Sequence, residues 1–169
     1  MALAKWRMPI TAMSVRDEAK SACIKVRFAE EYRLNLKVMH HTEYLNDLIR
    51  NKLITPHQSE LKTVFHNPCE LGRGCDVYAA PDQVLQTVSH KLATVYDGKN
   101  SLCCGGSLAN IHIDPGQRTR ISSDAVKAYL SYQPDLLVTA CPLCKKTFMK
   151  TDTAVPIKDI AEVVAENCR

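Results

Sequence analysis

The chain has 169 residues, 46% of them hydrophobic and 24% charged, with a formal net charge of +4. That length buries a full core in one domain without disulfide help, and the composition excludes a disordered chain. The basic residues are scattered and aromatics make up only 6%, so no nucleic-acid surface is expected.

No stretch of about 18 apolar residues offers a membrane span. Lys5 and Arg7 have no apolar run behind them, as a secretory signal would require. A cytoplasmic location is therefore expected, where thiols stay reduced. Eight cysteines in such a compartment point to metal binding or redox chemistry.

Residues 1–34 contain a weak helical stretch, Arg16 to Glu31, and no clear strand, so they are expected to be a peripheral or mobile segment. From residue 35 onward, short apolar runs alternate with amphipathic stretches. Leu36 to Met39 reads as a strand. A helix capped by Thr42 follows, with Leu45, Leu48, Ile49 and Leu53 on one face. Lys62 to Phe65 reads as the next strand, ending in the turn His66-Asn67-Pro68-Cys69. A helix opens at Pro81, a residue suited to the first helical position, and carries Val84, Leu85 and Val88 on one side.

Leu92 to Tyr96 reads as a third strand, closed by Asp97-Gly98. After a loop holding Cys103 and Cys104, Ile121, Ala125, Ala128, Tyr129 and Tyr132 mark one face of a helix over 114–132, with both tyrosines in the core. Leu136 to Thr139 is a continuous apolar run, as expected of a strand buried on both faces. Cys141-Pro142-Leu143-Cys144 then opens a short helix. Ile157 ends a last strand, and Ile160, Val163 and Val164 mark a terminal helix. Strand–helix alternation repeated about five times predicts an open α/β fold. Its sheet would be mainly parallel, with four to five strands flanked by helices.

In an open parallel sheet the loops after the strands gather at the carboxyl edge, where ligands bind. Cys69, Cys103, Cys104 and Cys141 fall in such loops and Cys144 opens the helix that follows, so residues distant in sequence are expected to form one site. Cys141-x-x-Cys144 is a bidentate thiolate pair, and a helix N-terminus favours its ionised form. Pro142 and Pro68 stiffen the approaches, while Gly105 and Gly106 let the backbone pass close to a bulky group. Adjacent cysteines are awkward for a single zinc ion and suit a multi-iron cluster, and five thiolates exceed the four of a structural zinc site. Cys23, Cys75 and Cys168 read as small buried hydrophobes.

Other polar residues near this edge have plainer readings. His40 and His41 read as capping or exposed residues, His112 as surface, and Lys145 and Lys146 as a solvated first-turn pair that could face an acidic partner. His66 reads as a hydrogen-bonding group near the cysteines. Arg73 reads as a sulfide or anion donor, or as a solvated turn residue. Two further classes remain open on the residues alone: a zinc-stabilised scaffold or binding module, and a thiol–disulfide enzyme using Cys141 and Cys144.

Cys69, 33 residues, Cys103-Cys104-Gly105, 36 residues and Cys141-x-x-Cys144 form a pattern with specific flanks. These are His66-Asn67-Pro68-Cys69-Glu70-Leu71-Gly72-Arg73, Ser101-Leu102-Cys103-Cys104-Gly105-Gly106 and Val138-Thr139-Ala140-Cys141-Pro142-Leu143-Cys144. Over residues 35–169 the sequence resembles the cysteine-rich CCG domain of heterodisulfide reductase, the glycolate oxidase iron–sulfur protein and the lactate-utilisation proteins. The resemblance implies one [4Fe-4S] cluster, cubane or noncubane, held by Cys69, Cys103, Cys104, Cys141 and Cys144. His66, Arg73 and Gly105 would lie around it. It also implies an electron-transfer subunit of a heterodisulfide-reductase-like or 2-hydroxy-acid-oxidase-like oxidoreductase, partnered by a flavoprotein or a ferredoxin-like [4Fe-4S] subunit. Relatives usually carry two such motifs. The one here resembles the C-terminal copy, so the expectation is a single-motif homologue, a split protein with a partner chain, or a truncated chain.

Overall fold

The computed structural model describes residues 38–106, 110 and 112–168. The segment 1–34 and Cys23, considered above, lie outside the described residues. The described elements are α1 (His41–Arg50), β1 (Lys62–His66), a π-helical turn (Glu70–Gly74), α2 (Ala79–Val88), β2 (His90–Lys91) and a 3-10 turn (Gly98–Asn100). There follow α3 (Pro115–Leu130), β3 (Leu136–Thr139), α4 (Pro142–Phe148), β4 (Ile157–Asp159) and α5 (Ile160–Asn167). All four strands are parallel, in the order β2-β1-β3-β4.

The expected α/β fold is present, with differences at element ends. Val38 and Met39 are not in a strand, and the rest of the expected first strand lies outside the described residues. Helix α1 is capped by His40 rather than Thr42. The His40 ring Nδ1 accepts from the Thr42 N–H, and the Glu43 carboxylate accepts from the His40 N–H. This reciprocal pair satisfies two helix-end donors two residues earlier than a Thr42 cap would. Leu53 falls beyond the helix and is 62% exposed.

The third strand also lies earlier than expected, at His90–Lys91 instead of 92–96. Leu92 still donates to the Thr63 carbonyl. The chain then folds back where Thr94 Oγ1 donates to Asp97 Oδ1, leaving Val95 exposed. A short turn of this kind needs only the Thr and Asp side chains, and apolar pattern alone does not reveal it. Helix α3 stops at Leu130, so Tyr132 lies past its end, packing against the core. Ile157 begins β4 rather than ending it.

The strands alternate between two cores. Phe65, Leu136 and Val138 face a cluster with Leu71, Val84, Leu85, Val88, Ile160 and Val163. Val64, Leu137 and Ile157 face the other, with Tyr129, Phe148, Cys104 and Cys144. Helix α2, which follows β1, packs on the first face, whereas α4, which follows β3, packs on the second. Neighbouring β1 and β3 thus send their chains to opposite faces, and a crevice opens between them at the carboxyl edge. Cys69 follows β1 and Cys141 follows β3, one at each side of that crevice.

Candidate metal centre

The approach to Cys69 is built by Pro68 and by the π-helical turn that starts at Glu70. Such turns are rare and concentrate at functional sites. Its Arg73 does not end in solvent. The guanidinium donates to the Ser101 carbonyl at 2.8 Å and the Lys99 carbonyl at 3.1 Å, tying the turn to the chain that leads into Cys103.

That incoming chain is held at two further points. His66, 1% exposed, lies edge-on to Phe148 and to Tyr129. Its Nε2 contacts the Leu102 carbonyl at 3.0 Å and its Nδ1 the Thr139 hydroxyl at 3.0 Å. A carbonyl only accepts, so Nε2 carries the proton and Nδ1 accepts from Thr139. Burial holds the ring neutral, with its pKa pushed down to about 4. Tyr129, expected as plain core, has its hydroxyl 3.1 Å from the Ser101 hydroxyl and accepts from the Leu102 N–H. A buried tyrosine hydroxyl needs a polar partner, and that requirement is the signal which marks this residue beyond its apolar ring.

Cys103 and Cys104 then enter a tight loop. The Gly105 N–H donates to Cys103 Sγ and the Gly106 N–H to Cys104 Sγ, each at 3.4 Å. Asn110 Nδ2 donates to Cys103 Sγ at the same distance. Gly105 has φ +79, and a Cβ there would lie 2.5 Å from the Arg118 carbonyl oxygen. A Cβ at Gly106 would collide with Thr147 Oγ1. The glycines therefore answer to helices α3 and α4 behind the loop, which press the cysteines toward the crevice.

Cys141 is the N-cap of α4, and Cys144 sits in the first turn of that helix, buried in the second core. The side chains of Cys104 and Cys141, followed by burial, push the Cys144 thiol far up, so it keeps its proton. The same thiol, opposed by burial and aided by the Gly106 N–H, holds Cys104 below the usual range. Cys141 is pulled down to about 7, first by Cys144 and then by the N–H groups of Cys144 and Leu143. Burial pushes Cys69 up, and the charges of Cys103 and Cys104 add to it. Cys104 thus interacts with Cys69, Cys141 and Cys144, and Cys103 with Cys69.

The remaining residues of interest divide. Cys168 packs against the first core and Cys75 is the C-cap of the π-helical turn, and both are half-buried rather than buried as expected. His40 is buried at 8% exposure, and burial, then the charge of His41, pushes it down to about 3. His41 Nε2 lies 3.5 Å from Asp159, whose charge is felt at Cys141. His112 is exposed. Lys145 is not a free surface cation, because it bonds both carboxylate oxygens of Glu162 at 2.6 Å and links α4 to α5. Lys146 is exposed.

Among the described residues no three His, Cys, Asp or Glu side chains are set around a single ion. The thiols are close without being drawn onto one point. Five soft thiolate donors, three N–H groups already aimed at two of them and a loop backed by glycines suit a larger, multi-iron group.

Comparison with known proteins points the same way. The family model for the CCG cysteine-rich domain matches residues 63–149. One component of the dihydromethanophenazine:CoB–CoM heterodisulfide reductase of Methanosarcina mazei is 34% identical over 145 residues, covering 79% of this chain and 34% of that protein. A probable iron–sulfur-binding oxidoreductase of Bacillus subtilis is 24% identical, covering 78% and 20%. An EtfAB:quinone oxidoreductase of Syntrophomonas wolfei is 26% identical, covering 77% and 20%. The chain spans about a third of the length of the first and a fifth of the other two.

Proposed function

Because this chain belongs to the CCG cysteine-rich domain family, we propose that it is an iron–sulfur electron-transfer unit of a larger oxidoreductase. The system would be of the heterodisulfide-reductase-like or 2-hydroxy-acid-oxidase-like kind. The observation that carries this reading is that Cys69, Cys103, Cys104, Cys141 and Cys144 follow β1, β2 and β3 at one edge of a parallel sheet, with Cys104 interacting with Cys69, Cys141 and Cys144. Cys69, Cys103, Cys104, Cys141 and Cys144 would hold one [4Fe-4S] cluster, with residues 35–169 as the cysteine-rich unit. Five thiolates, one more than a cubane takes, favour the noncubane arrangement.

The cluster would supply one-electron storage. The chain's own residues supply the rest. Cys104, Cys141 and Cys144 would each give up a thiol proton on becoming ligands, Cys144 least readily, since metal binding by thiols releases protons. The N–H groups of Gly105, Gly106 and Asn110 stabilise negative charge on sulfur and so raise the reduction potential. His66, Arg73 and Tyr129 hold the loop in place, which limits rearrangement on electron transfer. Partners would be a flavoprotein or a ferredoxin-like subunit, with a further chain for the other CCG motif that relatives carry.

Anaerobic purification followed by iron and sulfide analysis tests the reading. A brown protein with about four irons and four sulfides per chain supports it, and a colourless one holding a single zinc refutes it. Serine substitution at each of the five positions, read by electron paramagnetic resonance, sharpens it. Five altered spectra support the five-thiolate form, and one silent position returns the site to a cubane.

One observation favours a second reading. Cys141, at about 7, lies in the range of a reactive thiol, as a Cys141–Cys144 thiol–disulfide enzyme would require. That chemistry uses neither Cys69 nor Cys103. Disulfide reductase activity lost in Cys141→Ser but kept in Cys103→Ser would select it.

A further inference from the structure

Behind the cysteine loop, between α3 and α4, lies a cleft of about 280 Å³. Its floor is Gly105-Gly106, and its walls carry Arg118 from α3 and Lys150 from just past α4. There is no carboxylate among its described lining residues. Among the described residues neither cation takes part in an ion pair. Arg118 Nε is buried without a hydrogen-bond acceptor.

This arrangement is costly on structural grounds alone. Arg118 stands in the first turn of α3, where the helix dipole favours anions and opposes a cation. Leaving a buried guanidinium N–H without an acceptor costs about 1–3 kcal/mol. The cleft's hydroxyls do not relieve it. Thr119 donates to the Pro115 carbonyl, Thr147 to Leu143, Thr151 to Phe148 and Ser122 to Thr147, and none of these hydroxyl oxygens accepts from Arg118 Nε. What remains is one Arg118 N–H without an acceptor, and two cations with no carboxylate among the described lining residues of a concave space. A planar or tetrahedral oxyanion is the ligand that answers both, because it can meet the Nε edge of an arginine with two parallel bonds.

We propose that this cleft is a binding site for a small anion, a carboxylate or a phosphate, held by the Arg118 guanidinium and the Lys150 ammonium behind the cysteine loop. The anion sits across the Gly105-Gly106 backbone from the Cys103 and Cys104 sulfurs. The site does not depend on what the thiols hold, so it stands or falls separately from the cluster.

The test is calorimetric titration of the anaerobically purified protein with inorganic phosphate and, in parallel, with malonate, at constant ionic strength in chloride. Saturable one-to-one binding of at least one probe is expected. The tighter probe identifies the ligand as phosphate-like or carboxylate-like. Arg118→Gln and Lys150→Gln should each weaken binding about tenfold, the size of one charge-assisted bond. Thr119→Glu, which places a carboxylate at the exposed rim, should abolish it. Arg120→Gln, exposed and outside the lining, should leave it unchanged. Lys150 and Thr119 are exposed positions, so the test holds even if Arg118→Gln fails to fold. No saturable binding of either probe overturns the proposal. So does binding that Lys150→Gln and Thr119→Glu leave within about twofold, or that Arg120→Gln weakens equally.

Discussion

The two faces of the sheet are built from the same alternating strands and serve different ends. On one, α1, α2 and α5 cover an aliphatic cluster of leucines, valines and isoleucine around Phe65. On the other, α3 and α4 cover a cluster in which Cys104 and Cys144 stand beside Tyr129 and Phe148. The first face is a support, where side-chain volume is what counts. The second is half core and half site, so its side chains must satisfy packing and hydrogen bonding together. A change of equal size should therefore cost stability on the first face and function on the second.

The largest expected effect is on metal content. Cys104→Ser should remove iron binding almost completely, because Cys104 interacts with Cys69, Cys141 and Cys144. Cys168→Ser, a cysteine packed on the aliphatic face, should leave iron and sulfide unchanged. Metal analysis of the two proteins decides the matter, and iron loss in both would erase the distinction between the faces.

Next comes pure packing. Leu85→Ala on α2 empties a fully buried site and should lower stability by about 2–5 kcal/mol in urea unfolding. The absorption spectrum per folded molecule should not change. Gly105→Ala is its counterpart on the other face. It meets the Arg118 carbonyl at 2.5 Å in a left-handed backbone and should cost about 1–3 kcal/mol while also altering the spectrum. Gly98→Ala, left-handed but with only the Tyr78 ring at 4.0 Å, should cost about 1 kcal/mol and leave the spectrum alone.

Acid sharpens the comparison further, since each side holds one buried neutral histidine. Both His66, at about 4, and His40, at about 3, lie below the value of 6.5 they take in the unfolded chain. Unfolding then takes up protons below pH 6.5, so stability is full above that pH and falls as the pH drops toward 4. The loss from His66 alone approaches about 3 kcal/mol. His40→Asn, which can still cap α1, should remove roughly half of the decline seen in urea midpoints between pH 7 and pH 5. An unchanged profile would mean that the histidines do not govern acid stability.

Much of this was legible in the chain. The helix of Val84, Leu85 and Val88, the strand Leu136 to Thr139 and the terminal helix each follow from apolar period. So does the placing of Cys69, Cys103, Cys104 and Cys141 after strands, with Cys144 opening the next helix. The errors share a cause. The shortened second strand turns on a Thr94–Asp97 contact, and the cap of α1 on a histidine ring used as an acceptor. Hydrophobic periodicity carries neither.

The sequence by itself determined the class of fold and the edge of the sheet at which the cysteine-bearing loops lie, because strand–helix alternation forces a parallel sheet and parallel sheets gather their loops at one edge. Only the tertiary structure decided how those loops are held. Arg73 turned inward onto two carbonyls, Tyr129 became a hydrogen-bonding post, and Lys145 closed onto Glu162. It also set two cations at a cleft with no carboxylate among its described lining residues. Each of these depends on which side chains from distant segments meet. Local spacing fixes a side chain's direction along its own element, but its partner is chosen by the packing of the others.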